Sequence, residues 1–299
     1  MLKITAIGEI LFDFYPKSKN LGGAPLNFLY HVYKLTGQGS IISRIGFDVL
    51  GKKVLDFLKN SGIFSGYIQE DHKHPTGITT VTLDENKVPT FKIDINRAYD
   101  FIESSKQLNK LIEFETDCLY FGSLAQRGKV ARRTVQSLLN HNIKYFCDLN
   151  IRQPFYTTEV IEKSITAANV LKVNIDELEL IHSLFFKNSF DLYNSSSELM
   201  KKFNIDLLAV TKGAEGSVLM RDKITDDFKI DPVKVIDTVG AGDAFSAILC
   251  IGYLKNWDLS LINQLANEFA IEICKIKGAL PENDSVYKIF SNKIKDAKE

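Results

Sequence analysis

Short apolar, β-branched runs recur along the chain: LKITAIG (2–8), SIISRIG (40–46), CLYFGSL (118–124), KYFCDLN (144–150), VLKVN (170–174), LLAVTKG (207–213) and SVLM (217–220). Continuous runs of this kind suit strands buried on both faces. Between them lie segments whose apolar residues recur at helical spacing, at 25–35, 49–60, 128–140, 176–185 and 241–256. Pro25 suits the first turn of the first of these, and Gly37 lies just past its end. Strands alternating with helices predict an α/β fold with a mostly parallel central sheet and right-handed crossovers.

Residues 77–96, GITTVTLDENKVPTFKIDIN, depart from this rhythm and read as two alternating strands around a polar turn. The segment LFDFYPKSKN (11–20) is also extended. Together they predict a small antiparallel lid, formed by about 11–20 and 77–97 and inserted in a single domain spanning 1–299. A lid of this size suits the covering of a ligand.

The chain has 299 residues, 45% of them hydrophobic, with 37 Lys+Arg against 37 Asp+Glu. Zero net charge argues against a nucleic-acid or membrane-surface partner, both of which call for a basic excess. The hydrophobic content argues against a disordered chain. Cys118, Cys147, Cys250 and Cys274 form no CxxC pair and have apolar neighbours, which predicts reduced, buried thiols. Glu9 and Asp13 interrupt the N-terminal apolar stretch, so no signal peptide is read there, and AFSAILCIGYL is too short to span a bilayer. A soluble, cytoplasmic protein is expected.

The sharpest chemical motif is DTVGAGDAF, Asp237 to Phe245, which runs straight into an apolar helical segment. Successive backbone N–H groups at a helix N-terminus make an anion site without a cationic side chain. Asp243 falls in the first helical turn beside that site, where a carboxylate also complements the helix dipole. The motif is not a Walker A loop, since no GK[ST] follows. A carboxylate next to a phosphate-sized anion hole suits phosphoryl transfer to an alcohol. The carboxylate takes the hydroxyl proton while the amides hold charge on the moving phosphoryl group.

DTVGAGDAF closely resembles the C-terminal signature of the PfkB, or ribokinase-like, carbohydrate kinases. LGGAPLNFLYHVYKLTG (21–37) resembles the family's GGxxxN element in its fructokinase-like form. GEILFDF (8–14), SRIGFDVLG (43–51), YFGSLA (120–125), DLNIRQPFY (148–156), KVNIDELE (172–179) and VTKGAEGSVL (210–219) follow in the family's order, so the resemblance covers essentially the whole chain. It implies a ribokinase-like three-layer α/β/α sandwich with a small β-sheet lid, and an ATP-dependent sugar kinase. By the same resemblance Asp243 is the general base, and Gly240, Ala241 and Gly242 form the anion hole. Asp13, Gly22, Gly23 and Asn27 match positions that hold sugar hydroxyls. Asn174 and Glu177 match the NxxE element that organises magnesium and phosphates, and the same pair also reads as a helix cap. Lys172 reads either as reaching phosphate or as a strand-end cation, while Thr211, Gly213 and Gly216 match the loop around ATP phosphates and ribose. Asp237 and the Val239 carbonyl match the site of a structural monovalent cation such as K+. Gly278 and Ala279 match the loop that completes the adenine region. Asn267, on the preceding helix, reads either as an adenine contact or as an exposed helix residue.

Substrate identity rests on fewer residues. GGAPLN, FGSLA and AYD (98–100) favour a neutral ketose, and so the conversion of fructose to fructose 6-phosphate. Arg152 lies in a segment that resembles the DxNxR element of fructokinases and 2-keto-3-deoxygluconate kinases, and it leaves an acid ketose as the alternative, because it could pair with a substrate carboxylate; another sugar, or a nucleoside, is the further alternative. Phe91 and Ile93 are candidates to cover the sugar, and Arg97 is expected in solvent. A catalytically silent, sugar-sensing relative would share the fold, but it has no chemical need for the intact Asp243 and its glycine pair. His72 and His74 read as solvated loop residues rather than metal ligands. Unpaired lid edges and one apolar lid face suggest a homodimer formed through the lid sheet.

Overall fold

The computed structural model describes residues 2–16, 18–83, 89–152 and 154–297. The chain opens with β1 (Ile4–Ile7), β2 (Leu11–Tyr15), β3 (Ser18–Gly22), α1 (Ala24–Thr36), β4 (Ser40–Gly46), α2 (Val49–Asn60), β5 (Ile68–Asp71), β6 (Gly77–Leu83) and β7 (Pro89–Ile93). It continues through α3 (Lys106–Glu115), β8 (Cys118–Phe121), α4 (Lys129–Leu138), β9 (Lys144–Asp148), α5 (Thr158–Ala167), β10 (Val170–Asn174), α6 (Ile175–Phe185) and α7 (Leu192–Phe203). It closes with β11 (Leu207–Thr211), β12 (Ser217–Arg221), β13 (Ile224–Phe228), α8 (Ala241–Leu254), α9 (Leu259–Cys274) and α10 (Ser285–Asp296).

A nine-stranded sheet runs in the order β13-β12-β11-β10-β9-β8-β1-β4-β5. Neighbours from β5 to β11 are parallel, and β12 and β13 add antiparallel at one edge. The parallel strands other than the edge strand β5 (IQED) are the continuous apolar runs of the sequence, and β1 and β8 are buried along their whole length. Their side chains alternate between two cores. Ile4, Ala6, Cys118, Tyr120 and Phe146 meet α1, α2, α8, α9 and α10 on one face; Ile7, Leu119, Phe121, Cys147 and Leu171 meet α3 to α7 on the other. The result is the expected three-layer α/β/α sandwich. Each fully buried side chain of this size contributes roughly 1.5–3 kcal/mol of transfer free energy. Phe28 of α1 stacks on Tyr120 of β8 with ring centroids 3.8 Å apart, which seats α1 directly against the sheet.

Helix ends follow the sequence signals. α1 carries Pro25 in its first turn and stops at Gly37, whose left-handed backbone returns its N–H to the Tyr33 carbonyl. α2 starts where the Asp48 carboxylate accepts from Gly51 N at 2.8 Å.

The second sheet has the order β3-β2-β6-β7. The extended segment 11–20 is a hairpin that sets Asp13 opposite Asn20, and β2 also pairs in parallel with β6, Asp13 opposite Thr79. The small sheet is therefore mixed rather than antiparallel. β6 and β7 pair antiparallel as their alternation predicts, and residues 84–88 between them lie outside the described residues. Cys118, Cys147 and Cys250 are free and buried, and Cys274 is free and half-buried. Among the described residues no helix is long and apolar enough to cross a membrane.

Candidate active site

Parallel strands end on one side of a sheet, so residues at or just past their C-terminal ends gather there. β1 leads to Glu9, β9 ends in Asp148, β10 in Asn174 and β11 in Thr211. Register sets Lys172 level with Asp148 and Asn174 level with Thr211. α8 begins at the same edge, since a Cβ on Gly242 would lie 3.1 Å from Lys172 Nζ. Gly240 caps α8 in the left-handed conformation (φ 81°), and a Cβ there would collide with Ala279. Ala241 N closes a turn on the Thr238 carbonyl at 3.3 Å. The amides of Gly242 and Asp243 are therefore the better outward donors of the first turn, with Ala241 partly spent.

Asp243 is held by Asn27, whose Nδ2 donates to Oδ2 at 2.8 Å. The remaining acceptor, Asn27 Oδ1, is buried and has no protein partner. It faces the Gly22 backbone: a Cβ on Gly22 would lie 3.9 Å from Asn27 Oδ1 and 3.5 Å from Asp13 Oδ2. Asp13, Gly22 and Asn27 thus line one space with Asp243, which lies 216 residues beyond Asn27 in the chain. Gly23 (φ 110°) brings α1 so close to the Glu9 carbonyl that no side chain fits between them. Burial pushes the Asp243 carboxyl up to about 7; the Asp148 charge adds to this, and Asn27, Lys172 and Arg152 oppose it. Burial also raises Asp13 to about 6 against the Thr79 hydrogen bond and the Arg152 charge.

On the phosphate side, Lys172 Nζ donates to Asp148 at 3.1 and 3.3 Å. Glu177 accepts from Asn174 N at 2.9 Å and from Ile151 N at 2.7 Å, while Asn174 Oδ1 accepts from Glu177 N at 2.8 Å. The capping reading of this pair is therefore realised in full. Thr211, Gly213 and Gly216 lie at the β11–β12 turn, with Gly213 and Gly216 at positive φ. Asp237 accepts from Val239 N at 3.1 Å and Gly278 N at 2.9 Å, which ties the approach to α8 to the C-terminal loop.

Several side chains stand elsewhere than the sequence suggests. Asn267 is buried, not exposed, and its amide donates to Ser217 Oγ and the Asn263 carbonyl, both at 2.7 Å. Arg97 turns from solvent to pair with Asp94. His74 bonds Asp71 at 3.0 Å and stacks on Phe101, so it is no solvated loop residue. Ile93 is part-buried against the core of the α/β body, and the Phe91 side chain lies outside the described residues. Arg152 is exposed, with its charge felt at Glu9, Asp13 and Asp243.

Sequence reasoning misses Glu9 and Asp148. Each is a lone carboxylate in or beside an apolar run, and that interruption is the signal available. Glu9 is 4% exposed, and burial raises it from 4.5 to about 7, with Asp243 adding to the shift and Arg152 and Arg127 opposing it. A carboxyl that is more basic when folded gives stability that is full below 4.5 and lost as pH rises to about 7. Glu9→Gln is accordingly expected to raise stability at pH 8 by about 2–3 kcal/mol and to change it little at pH 4. Denaturant melts at the two pH values check this; equal shifts at both would rule out the charge as the cause.

The sequence model for pfkB family carbohydrate kinases matches residues 1–285. A sugar kinase of Pyrococcus horikoshii is 29% identical over 309 residues, covering 95% of this chain and 94% of the relative. A fructokinase of Salmonella typhimurium is 25% identical over 268 residues, covering 85% of each. A solved structure of a Pyrococcus horikoshii sugar kinase in complex with ATP has a TM-score of 0.80 at 26% identity, covering 97% of this chain and 99% of that one. The fold is thus the ribokinase-like one that the motifs imply. A family match over nearly the whole length, on this fold, turns resemblance into membership: the chain belongs to the pfkB family of carbohydrate kinases, which transfer a phosphoryl group to an alcohol.

Proposed function

We propose that the chain transfers the γ-phosphoryl group of ATP to fructose, giving fructose 6-phosphate. The observation that carries this reading is the Asp243 carboxylate, fixed by Asn27 beside the amide end of α8. Asn27 occupies Oδ2 and leaves Oδ1 to take the proton of an attacking hydroxyl. A carboxyl raised to about 7 is basic enough to do so and is largely ionised just above neutrality. Asp13 and Asn27 Oδ1 would accept other sugar hydroxyls, and the small sheet would act as the lid that keeps water out. The Gly242 and Asp243 amides, with Lys172 above them, would take up charge on the phosphoryl group.

Magnesium fits beside Glu177, because each of its oxygens spends one lone pair on an amide and keeps another for a metal-bound water. Bound there it would neutralise phosphate charge. Asp237 likewise keeps lone pairs for a monovalent cation, and the Val239 carbonyl would be the neighbouring donor. A homodimer formed through the lid would use the edge strands β3 and β7.

Fructose is favoured by the fructokinase relative and by GGAPLN. The second reading, an acid ketose such as 2-keto-3-deoxygluconate, is kept open by Arg152, an exposed guanidinium whose charge is felt at Asp13 and Asp243. Coupled ADP release across a panel of free sugars separates the two, and fructose is expected to give the highest kcat/KM. Turnover of the acid ketose with fructose inert would move the assignment to the second reading.

A further inference from the structure

We propose that Asp148 is a positioning residue for phosphoryl transfer: it holds Lys172 at the mouth of the α8 anion site and sets the field in which Asp243 takes its proton.

Asp148 is 1% exposed, and a carboxylate in that state must be compensated by donors. It has them from separate elements. Lys172 of β10 donates at 3.1 Å, Ser246 of α8 at 2.8 Å, and Tyr120 of β8 at 3.2 Å. Ser246 lies three residues along α8 from Asp243, so its bond pins the helix face that carries the base. Lys172 Nζ stands 3.1 Å from where a Gly242 Cβ would be, against the backbone that offers the outward amides. An ion pair kept for stability alone is replaceable by apolar groups of similar volume. Here one partner faces the anion site and the other borders the base. Asp148 raises Asp243, whereas Lys172 lowers it. The other groups that bear on this pair of carboxylates are Glu9, Tyr120, Arg152, Glu177 and the Asn27 amide. None of them both accepts a hydrogen bond from Lys172 and raises the base, as Asp148 does.

The inference rests on Asp243 as the base, and its test separates the two ideas. Asp148→Asn removes the charge and keeps the shape, so the acid limb of kcat/KM against pH should move down by about one unit. The KM for ATP should rise as Lys172 loses its seat. Lys172→Met removes the opposing charge, so the limb should move up by a similar amount. A purely structural role would lower activity in both variants without moving the limb in opposite directions. An unmoved or upward limb in a folded Asp148→Asn protein overturns the proposal. If that variant does not fold, Ser246→Ala carries the test, since it loosens Asp148 at constant charge. It should raise the KM for ATP with the limb in place, and an unchanged KM overturns the proposal. If Asp243→Asn itself leaves turnover intact, the base assignment has failed instead.

Discussion

Asp243→Asn is expected to lower kcat by roughly 10²–10⁴-fold while ATP binding survives. The substitution keeps size and lets Asn27 go on donating to a carbonyl oxygen, so the site should hold its shape. What disappears is the acceptor for the sugar's proton. In the unaltered enzyme kcat/KM should rise with pH through about 7, since Asp243 must be ionised to act and carries a proton below that value. Glu9 titrates in the same range and is coupled to Asp243, so the limb belongs to the pair rather than to one residue. Steady-state rates across pH, with calorimetric ATP titration of the variant, measure both claims. A variant with near-normal turnover, or a limb near the ordinary carboxylate value, would remove Asp243 from its role.

The second large effect concerns backbone. Gly240→Ala places a methyl group in a left-handed position (φ 81°) against Ala279. The strain of that backbone costs about 1–2 kcal/mol, and the collision must be relieved by shifting the start of α8 or the C-terminal loop. Either shift misaims the amides, so kcat/KM should fall by roughly 10²–10³-fold, the scale of a lost oxyanion donor. Gly37→Ala, at the far end of α1, is the control. Its φ is also positive, at 78°, but nothing lies within 4 Å of its Cβ position. It should cost stability and little activity. Equal rates for the two variants would show that the α8 terminus does not hold the phosphoryl group.

Sequence made the parallel body legible because strands covered on both faces leave unbroken apolar runs. It also marked the candidate site, because the glycines of DTVGAGD stand just ahead of an apolar helix with Asp243 in its first turn. It did not show the β2–β3 hairpin: Pro16 looks like a break within one extended segment, and the parallel partner β6 begins 62 residues further on. Glu9 and Asp148 stayed hidden for a related reason. A lone carboxylate in an apolar run looks like an interruption until register sets Lys172 beside it. The burial of Asn267 was hidden because its partner Ser217 belongs to a distant strand.

Gly23 alone separates the last residue of β3 from the first of α1. The small sheet and the Asp243 carboxylate therefore share one short mechanical linkage, running from Asp13 through that single joint to Asn27 and on to Asp243. Displacing the small sheet would carry Asp13 away and tug on the helix that aligns the carboxylate. A change at that joint is therefore felt at both ends, in the seat of Asp13 and in the Asn27–Asp243 bond.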